Sequence, residues 1–281
     1  MSPAARLQLT AGEAALFASD MHLGDHDPDT AAQFFSEMDA HTPSISHLFL
    51  LGDIFEAWVG DDQPDQVALA LSVRIAALTA RGVRVAVMRG NRDFLLGTGT
   101  HAPSWPERFG AQLLGDLEVL DLFGQRVLIA HGDTWCTDDY AYQRFRAEVR
   151  SAAWQQLFLA KPLAERLAIA RRMREQSELN KEAQDLGDVN DDTVGEAIRA
   201  ANVRCVIHGH THRPGRYRLG HTTDSTPASA PPHAHQNADD PGPLERWVLP
   251  DWLAREGRRG MLRVDAQGWR FTAGAISPPS G

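Results

Sequence analysis

Cysteine is scarce in this chain: 281 residues hold two, Cys136 and Cys205, and no CxxC spacing occurs. A disulfide framework and a zinc knuckle are thereby excluded, and both residues are expected as reduced thiols near the core. Lysine is as scarce, present only at Lys161 and Lys181, so nearly all positive charge is arginine. Long apolar runs are missing too. None approaches the roughly 18 residues of a spanning helix, and Met1 to Leu16 lacks the basic-then-apolar order of a secretion signal. The expectation is a cytoplasmic chain not integral to a membrane. Excess positive charge is also lacking: the net charge of −9 argues against general nucleic-acid binding, which needs a basic surface to displace counterions. It suits a chain whose carboxylates serve divalent metals.

What is present is an ordinary globular composition, 43% apolar and 23% charged. The length fits a single α/β domain over residues 1–281 with an insertion. Five short apolar runs each end in a polar cluster: Ala14–Ala18 before Ser19-Asp20-Met21-His22, His47–Leu51 before Gly52-Asp53, Val83–Met88 before Gly90-Asn91-Arg92-Asp93, Arg126–Ala130 before His131-Gly132-Asp133, and Arg204–Ile207 before His208-Gly209-His210-Thr211-His212. Runs this short and continuous read as strands buried on both faces. Helical spacing is read at Thr30–Ala40 and Pro64–Ala80, and strand followed by amphipathic helix argues for a layered α/β fold. Ligands collect beyond the carboxyl ends of such strands, where all five clusters lie. A helical insertion is expected at 140–185, a flexible excursion at 220–244, late strands at Trp247–Leu249 and Met261–Thr272, and a disordered tail at 277–281. No internal repeat is found.

The strand-end side chains able to bind metal are Asp20, His22, Asp53, Asn91, His131, His208 and His210. Carboxylate and amide oxygens suit Mn²⁺ or Mg²⁺, and imidazole suits Zn²⁺, Fe²⁺ or Mn²⁺. The set is too large for one tetrahedral ion and about right for two, with Asp53 placed to bridge. Two ions about 3.5–4 Å apart clamp an attacking hydroxide and a phosphate oxygen together. Asp20/His22 and His208/His210 are i, i+2 pairs, which an extended backbone would point to one side. Gly52, Gly90, Gly132 and Gly209 sit beside ligands, where the chain must turn sharply or approach a phosphate. Any one motif could be a surface turn; all five in order could hardly be.

That order resembles the calcineurin-like metallophosphoesterases, whose signature is DxH, GD, GNHD, a lone His and GHxH, over roughly Phe17 to Pro214. The likeness implies a two-sheet β-sandwich flanked by helices. It also implies one metal on Asp20, His22, Asp53 and His210, and the other on Asp53, Asn91, His131 and His208. The chain departs from the signature at Gly90-Asn91-Arg92-Asp93, where Arg92 replaces a histidine that often acts as general acid. A guanidinium cannot usefully give up a proton but can grip phosphate bidentately, so a leaving group that is already a good anion fits best.

The longer segments Asp53 to Asp62, Gly90 to Leu95, His131 to Thr134, Cys136 to Asp139 and His208 to Pro214 resemble one branch, the UDP-2,3-diacylglucosamine pyrophosphatases of lipid A synthesis. The resemblance implies Mn²⁺-dependent hydrolysis to UMP and a diacylglucosamine 1-phosphate, by attack of a metal-bridging hydroxide on the α-phosphorus. Asp53, Arg92 and His208 would act on the reacting phosphate. Asn91, Arg92, Asp139, Ser177, Asn180, Lys181 and His208 would touch the substrate, and the insertion would be its lid. Trp154, Leu157, Phe158, Leu163, Leu167 and Ala170 with Lys161, Arg166, Arg171, Arg172 and Arg174 give that insertion a basic amphipathic character. It could lie on anionic lipid at the cytoplasmic face of the inner membrane. No protein partner is called for. The rivals are a phosphodiesterase acting on a soluble nucleotide and a metal-free binding scaffold. Asp93 is expected to orient His131 or Arg92, with Asp61, Asp62 and Asp138 doing likewise or capping turns. His26, His41, His47, His101, His221, His233 and His235 are read as surface residues, and Trp247, Trp252 and Trp269 as packing.

Overall fold

The structure, a computed structural model, describes residues 8–63, 65–99, 102–183, 188–219 and 243–272, and the side chains within these except at 175–183. In chain order the elements are β1 (Gln8–Leu9), β2 (Ala14–Ala18), α1 (Pro28–His41), β3 (His47–Leu51), α2 (Gln66–Ala80), β4 (Arg84–Met88), β5 (Gln112–Leu113), β6 (Leu117–Leu122) and β7 (Gln125–Ala130). There follow α3 (Tyr140–Val149), α4 (Ala152–Leu159), α5 (Leu163–Ala183), α6 (Asp191–Ala200), β8 (Cys205–His208), β9 (Gly215–Arg218), β10 (Glu245–Val248), β11 (Leu262–Asp265) and β12 (Gly268–Phe271).

The strands form two six-stranded sheets, ordered β12-β11-β2-β3-β4-β5 and β1-β6-β7-β8-β10-β9. Side-chain alternation explains why the central strands are apolar throughout. In β2 and β3, Phe17, Phe49 and Leu51 face the second sheet, where Ile129, Ile207 and Trp247 meet them. Leu16, Ala18, Leu48 and Leu50 face the other way, against Phe34 of α1 and Leu71 and Ile75 of α2. The Phe17 and Phe49 rings stack 4.7 Å apart across the pair, and burying each is worth about 1.5–3 kcal/mol. A third cluster covers the outer face of the second sheet, with Leu128 and Val206 against Val194 and Ile198 of α6.

The late strands divide between the sheets: β10 runs parallel to β8, while β11 and β12 form a hairpin on the open side of β2. Among the described residues the insertion consists of three helices, α3, α4 and α5. Ser151 caps α4 by accepting from the Trp154 amide, and Pro162 stands just ahead of α5. Part of its expected membrane-facing surface turns inward: Phe158 is buried, and Trp154, Leu163 and Ala170 pack on the main core. Arg166 is buried as well, donating to the carbonyls of Val59 and Lys161 and pairing with Asp62, so its charge is not offered to lipid. Leu157 and Leu167 remain exposed.

Cys136 and Cys205 are free and buried, and Trp247, Trp252 and Trp269 are packed inside. His47, by contrast, is buried rather than superficial; its Nδ1 meets Ser46 Oγ at 2.8 Å and its ring lies along Phe49. The side chains of Ser177, Asn180 and Lys181 lie outside the described residues. So do residues 220–242 of the excursion, the expected tail, and His101, His221, His233 and His235. No helix among the described residues is long and apolar enough to cross a membrane.

Candidate metal centre

Strands β2, β3 and β4 run parallel in one sheet, as do β7 and β8 in the other, and the turns after them meet. Backbone hydrogen bonds stitch those turns together: Asp20 N donates to Gly52 O, His22 N to Asp53 O, and Gly209 N to His131 O. Gly90 and Gly209 are required by the closeness of this seam. A Cβ on Gly90 would strike Asp53 Oδ1, and one on Gly209 would strike Ser19 Oγ and Asp20 Oδ2.

The backbone itself marks the functional residues. Among the described residues, seven other than glycine have positive φ, and five of them are Asp20 (56°), His22 (47°), Asp53 (49°), His210 (70°) and His212 (53°). Left-handed backbone at such residues is costly and persists where the surroundings dictate it, which is typical of functional sites. Asp20 and His22 therefore share a side through this turn geometry and not through the extended backbone expected from their spacing.

Three imidazoles repeat one arrangement, each with Nδ1 toward an outer acceptor and Nε2 toward a common interior. His131 Nδ1 lies 2.9 Å from Leu51 O, leaving Nε2 3.0 Å from Asn91 Oδ1 and 3.5 Å from Asp53 Oδ1. His22 Nδ1 lies 3.4 Å from Glu56 Oε2, with Nε2 3.9 Å from Asp53 Oδ2. His212 Nδ1 lies 3.3 Å from Asp251 Oδ2, with Nε2 3.5 Å from both Asp20 Oδ1 and His22 Nε2. An outer acceptor at Nδ1 orients each ring so that Nε2 faces the oxygens of the seam, the usual arrangement of a metal-binding histidine. Asp20 Oδ1 is buried and accepts no hydrogen bond, while Oδ2 takes those of Ser19 Oγ and His210 N. Asp53 turns its two oxygens toward different histidines. Asp20, His22 and His212 form one group able to hold a cation, and Asp20, Asp53 and His131 another. The donor set thus fits divalent metal.

Buried carboxylates dominate the electrostatics of the seam. Burial would raise the Asp20 carboxyl, but the His212 contact and the charges of His131 and His22 hold it well below the carboxylate range. Burial would lower His131, yet Asp53, Asp20 and Asp133 push it up to about 9, because buried carboxylates favour positive charge beside them. His210 packs edge-on against His131, ring centroids 5.1 Å apart, and lies against Tyr142. Burial and the neighbouring His131 hold it down to about 4, so it is neutral and competent to ligate.

His208 lies elsewhere. As the last residue of β8 it shares a face with Val206, which belongs to the cluster under α6, and its ring meets Trp135 edge-on at 5.7 Å. Its Nδ1 contacts its own neighbour's carbonyl, Gly209 O, and Nε2 is buried without a hydrogen-bond partner. Burial and Arg246 lower it to about 3. In the run His208-Gly209-His210-Thr211-His212, the pair at the seam is His210 and His212. A frame two residues later satisfies the same GHxH pattern.

Arg92 donates its amide to Asp53 Oδ1 at 2.8 Å and Nη1 to Glu56 Oε1 at 3.1 Å. Asp93 contacts neither Arg92 nor His131 by hydrogen bond. Its fully buried carboxylate accepts from the amides of Gly90 (2.6 Å) and Ile54 (2.7 Å), locking the Asn91 turn onto the Asp53 turn. Asp61 anchors loops, accepting from Trp58 Nε1, Gly97 N and Trp105 N. Asp138 accepts from Asn190, and Asp139 caps α3 through Tyr142 N. Two participants had no signal in the sequence, Glu56 and Asp251, since each meets its histidine from a distant segment.

A family model described as calcineurin-like phosphoesterase matches residues 15–214. Among curated proteins the chain is 43% identical to the UDP-2,3-diacylglucosamine hydrolase of Chromobacterium violaceum, covering 90% of this chain and 96% of that one. It is 40% identical to the protein of that name from Cellvibrio japonicus (84% and 90% covered) and 40% identical to that of Bordetella pertussis (89% and 91%). Over nearly its whole described length, the chain belongs to the calcineurin-like phosphoesterases and, within them, to the UDP-2,3-diacylglucosamine hydrolase family.

Proposed function

We propose that this chain hydrolyses the diphosphate of UDP-2,3-diacylglucosamine to UMP and 2,3-diacylglucosamine 1-phosphate, a step of lipid A biosynthesis, with two divalent cations, Mn²⁺ foremost. The observation that carries the reading is the inward convergence of imidazole Nε2 atoms and buried carboxylate oxygens at one seam, in a chain this similar to hydrolases of that name. The ligand set that fits is Asp20, His22, Asp53 and His212 for one ion, and Asp53, Asn91, His131 and His210 for the other. When bound, the ions supply an activated water and neutralise phosphate oxygens.

The chain's own residues do the rest. Arg92, its Nη1 steadied on Glu56, presents the remainder of its fork to a phosphate oxygen and stabilises charge developing there. Asp93 fixes the distance between the Asn91 and Asp53 turns. Helices α3 to α5 serve as the lid. Tyr140, Phe145, Leu157 and Leu167, four of the seven large apolar side chains exposed among the described residues, lie on them and would meet acyl chains or the bilayer surface. Asp139, Ser177, Asn180 and Lys181 remain candidates for substrate contact. The enzyme would work peripherally at the cytoplasmic face of the inner membrane.

The test is UMP release from UDP-2,3-diacylglucosamine with Mn²⁺, comparing the native chain with Asp53→Ala. Near-complete loss of turnover is expected in the variant. Turnover of cyclic nucleotides but not of the lipid nucleotide would replace the reading with a soluble-substrate phosphodiesterase.

A further inference from the structure

Glu56 lies outside every ligand set above, yet its carboxylate touches three functional groups at once. Oε2 is 3.4 Å from His22 Nδ1, while Oε1 lies 3.1 Å from Arg92 Nη1 and 2.9 Å from Nε of Arg174 on α5. Its place is set firmly from below. Glu56 N donates to Leu23 O, Phe55 is bridged to Leu23, and the Phe55 ring stacks on Trp58 at 4.7 Å. The side chain is 12% exposed, so these charges meet largely away from water.

We propose that Glu56 is a positioning residue that joins the inserted helices to the reaction centre, one carboxylate setting the ring of His22, steadying Arg92 and receiving Arg174. The inference rests on the reading of His22 as a ligand and Arg92 as a phosphate grip. Two guanidiniums approaching a single oxygen repel each other unless a negative charge stands between them. With Glu56 present, seating α5 and aligning Arg92 become one event, and the same carboxylate, 3.4 Å from His22 Nδ1, orients that ring. An entering diphosphate offers oxygens to the same two guanidiniums, so substrate arrival and lid position are linked through this residue. A glutamine is the informative replacement. It keeps the shape and one acceptor but removes the charge.

The experiment uses the full chain with Glu56→Gln, Arg174→Ala and the double variant. In calorimetric titration of chelator-stripped protein with Mn²⁺, Glu56→Gln is expected to weaken one of two sites about 10–100-fold, the loss typical of a partner behind a metal ligand. Arg174→Ala should leave both sites unchanged. Amide hydrogen exchange over residues 163–174 should quicken in each single variant, and the double variant should quicken no further. With the lipid nucleotide, KM should rise in both single variants while kcat falls only in Glu56→Gln. Unchanged Mn²⁺ affinity in Glu56→Gln, or exchange in the double variant equal to the sum of the singles, would overturn the proposal. The first two readouts need no substrate. A native chain that released no UMP would therefore count against the proposed reaction and leave the role of Glu56 to be decided by metal affinity and exchange.

Discussion

Replacing His212 and His208 in turn separates the two frames in which the histidine run can be read. His212 Nε2 stands 3.5 Å from Asp20 Oδ1 and 3.5 Å from His22 Nε2, so its removal takes one of four donors from the first ion. Losing a partner behind a ligand weakens metal binding about 10–100-fold, or about 1.4–2.7 kcal/mol, and losing the ligand should cost at least that. Asp251→Asn, which keeps an oxygen for Nδ1 but not its charge, should fall at the mild end of that range. His208→Ala should leave Mn²⁺ affinity alone. It should instead lower folding stability by about 1–3 kcal/mol, because the ring fills space against Trp135 under α6. Calorimetric titration with Mn²⁺ reads the first quantity, and urea denaturation of the chelated protein reads the second. If His208→Ala loses the metal while His212→Ala keeps it, the frame proposed for the ligands is wrong.

Two further outcomes follow from buried charges. Burial and the adjacent Asp53 push Asp93 up to about 6 from an ordinary 3.8. The folded chain therefore holds that proton more tightly than the unfolded one, so the contribution of Asp93 to stability is greatest at low pH and falls as pH rises from about 4 through about 6. In chelated protein, Asp93→Asn should remove that contribution to the pH dependence, as urea midpoints of variant and native chain at several pH values would show; an unaltered difference would refute the assignment. Arg166→Ala removes the contacts that hold α5 to Val59 and Asp62. It should destabilise that region by about 2–4 kcal/mol and speed proteolytic cutting within 160–183, and an unchanged cutting rate would show the anchor to be idle.

How much of this was legible from residue order depended on whether the determining contact was local. Strands β2, β3, β4, β7 and β8 could be read because both their faces are buried, which forces unbroken apolar runs such as Leu48–Leu51. Strand β6 was passed over because its faces differ, and β1 and β5 because two residues carry no period. Helix α6 was missed although Asn190 caps it plainly, its side chain accepting from Asp192 N and Thr193 N. Asp20, His22, Asp53, Asn91 and His131 stand out by their position after strands, and the structure brings them to one seam. The histidine run is ambiguous because three histidines at alternate positions offer two equivalent pairs. Only the burial of β8, with His208 following Val206 onto the α6 side, distinguishes them. Glu56 and Asp251 were invisible for a further reason: an acid's partner 34 or 39 residues away leaves no trace in its own neighbourhood.

Five site residues hold left-handed backbone, and backbone hydrogen bonds tie one strand end to the next beneath them. The mould is cast before it is filled. A cation entering it should find little left to rearrange, and one leaving it should not take the sandwich apart. This enzyme should accordingly outlast chelation as a folded protein and regain its metals by simple dialysis, unlike small domains that the metal alone keeps folded.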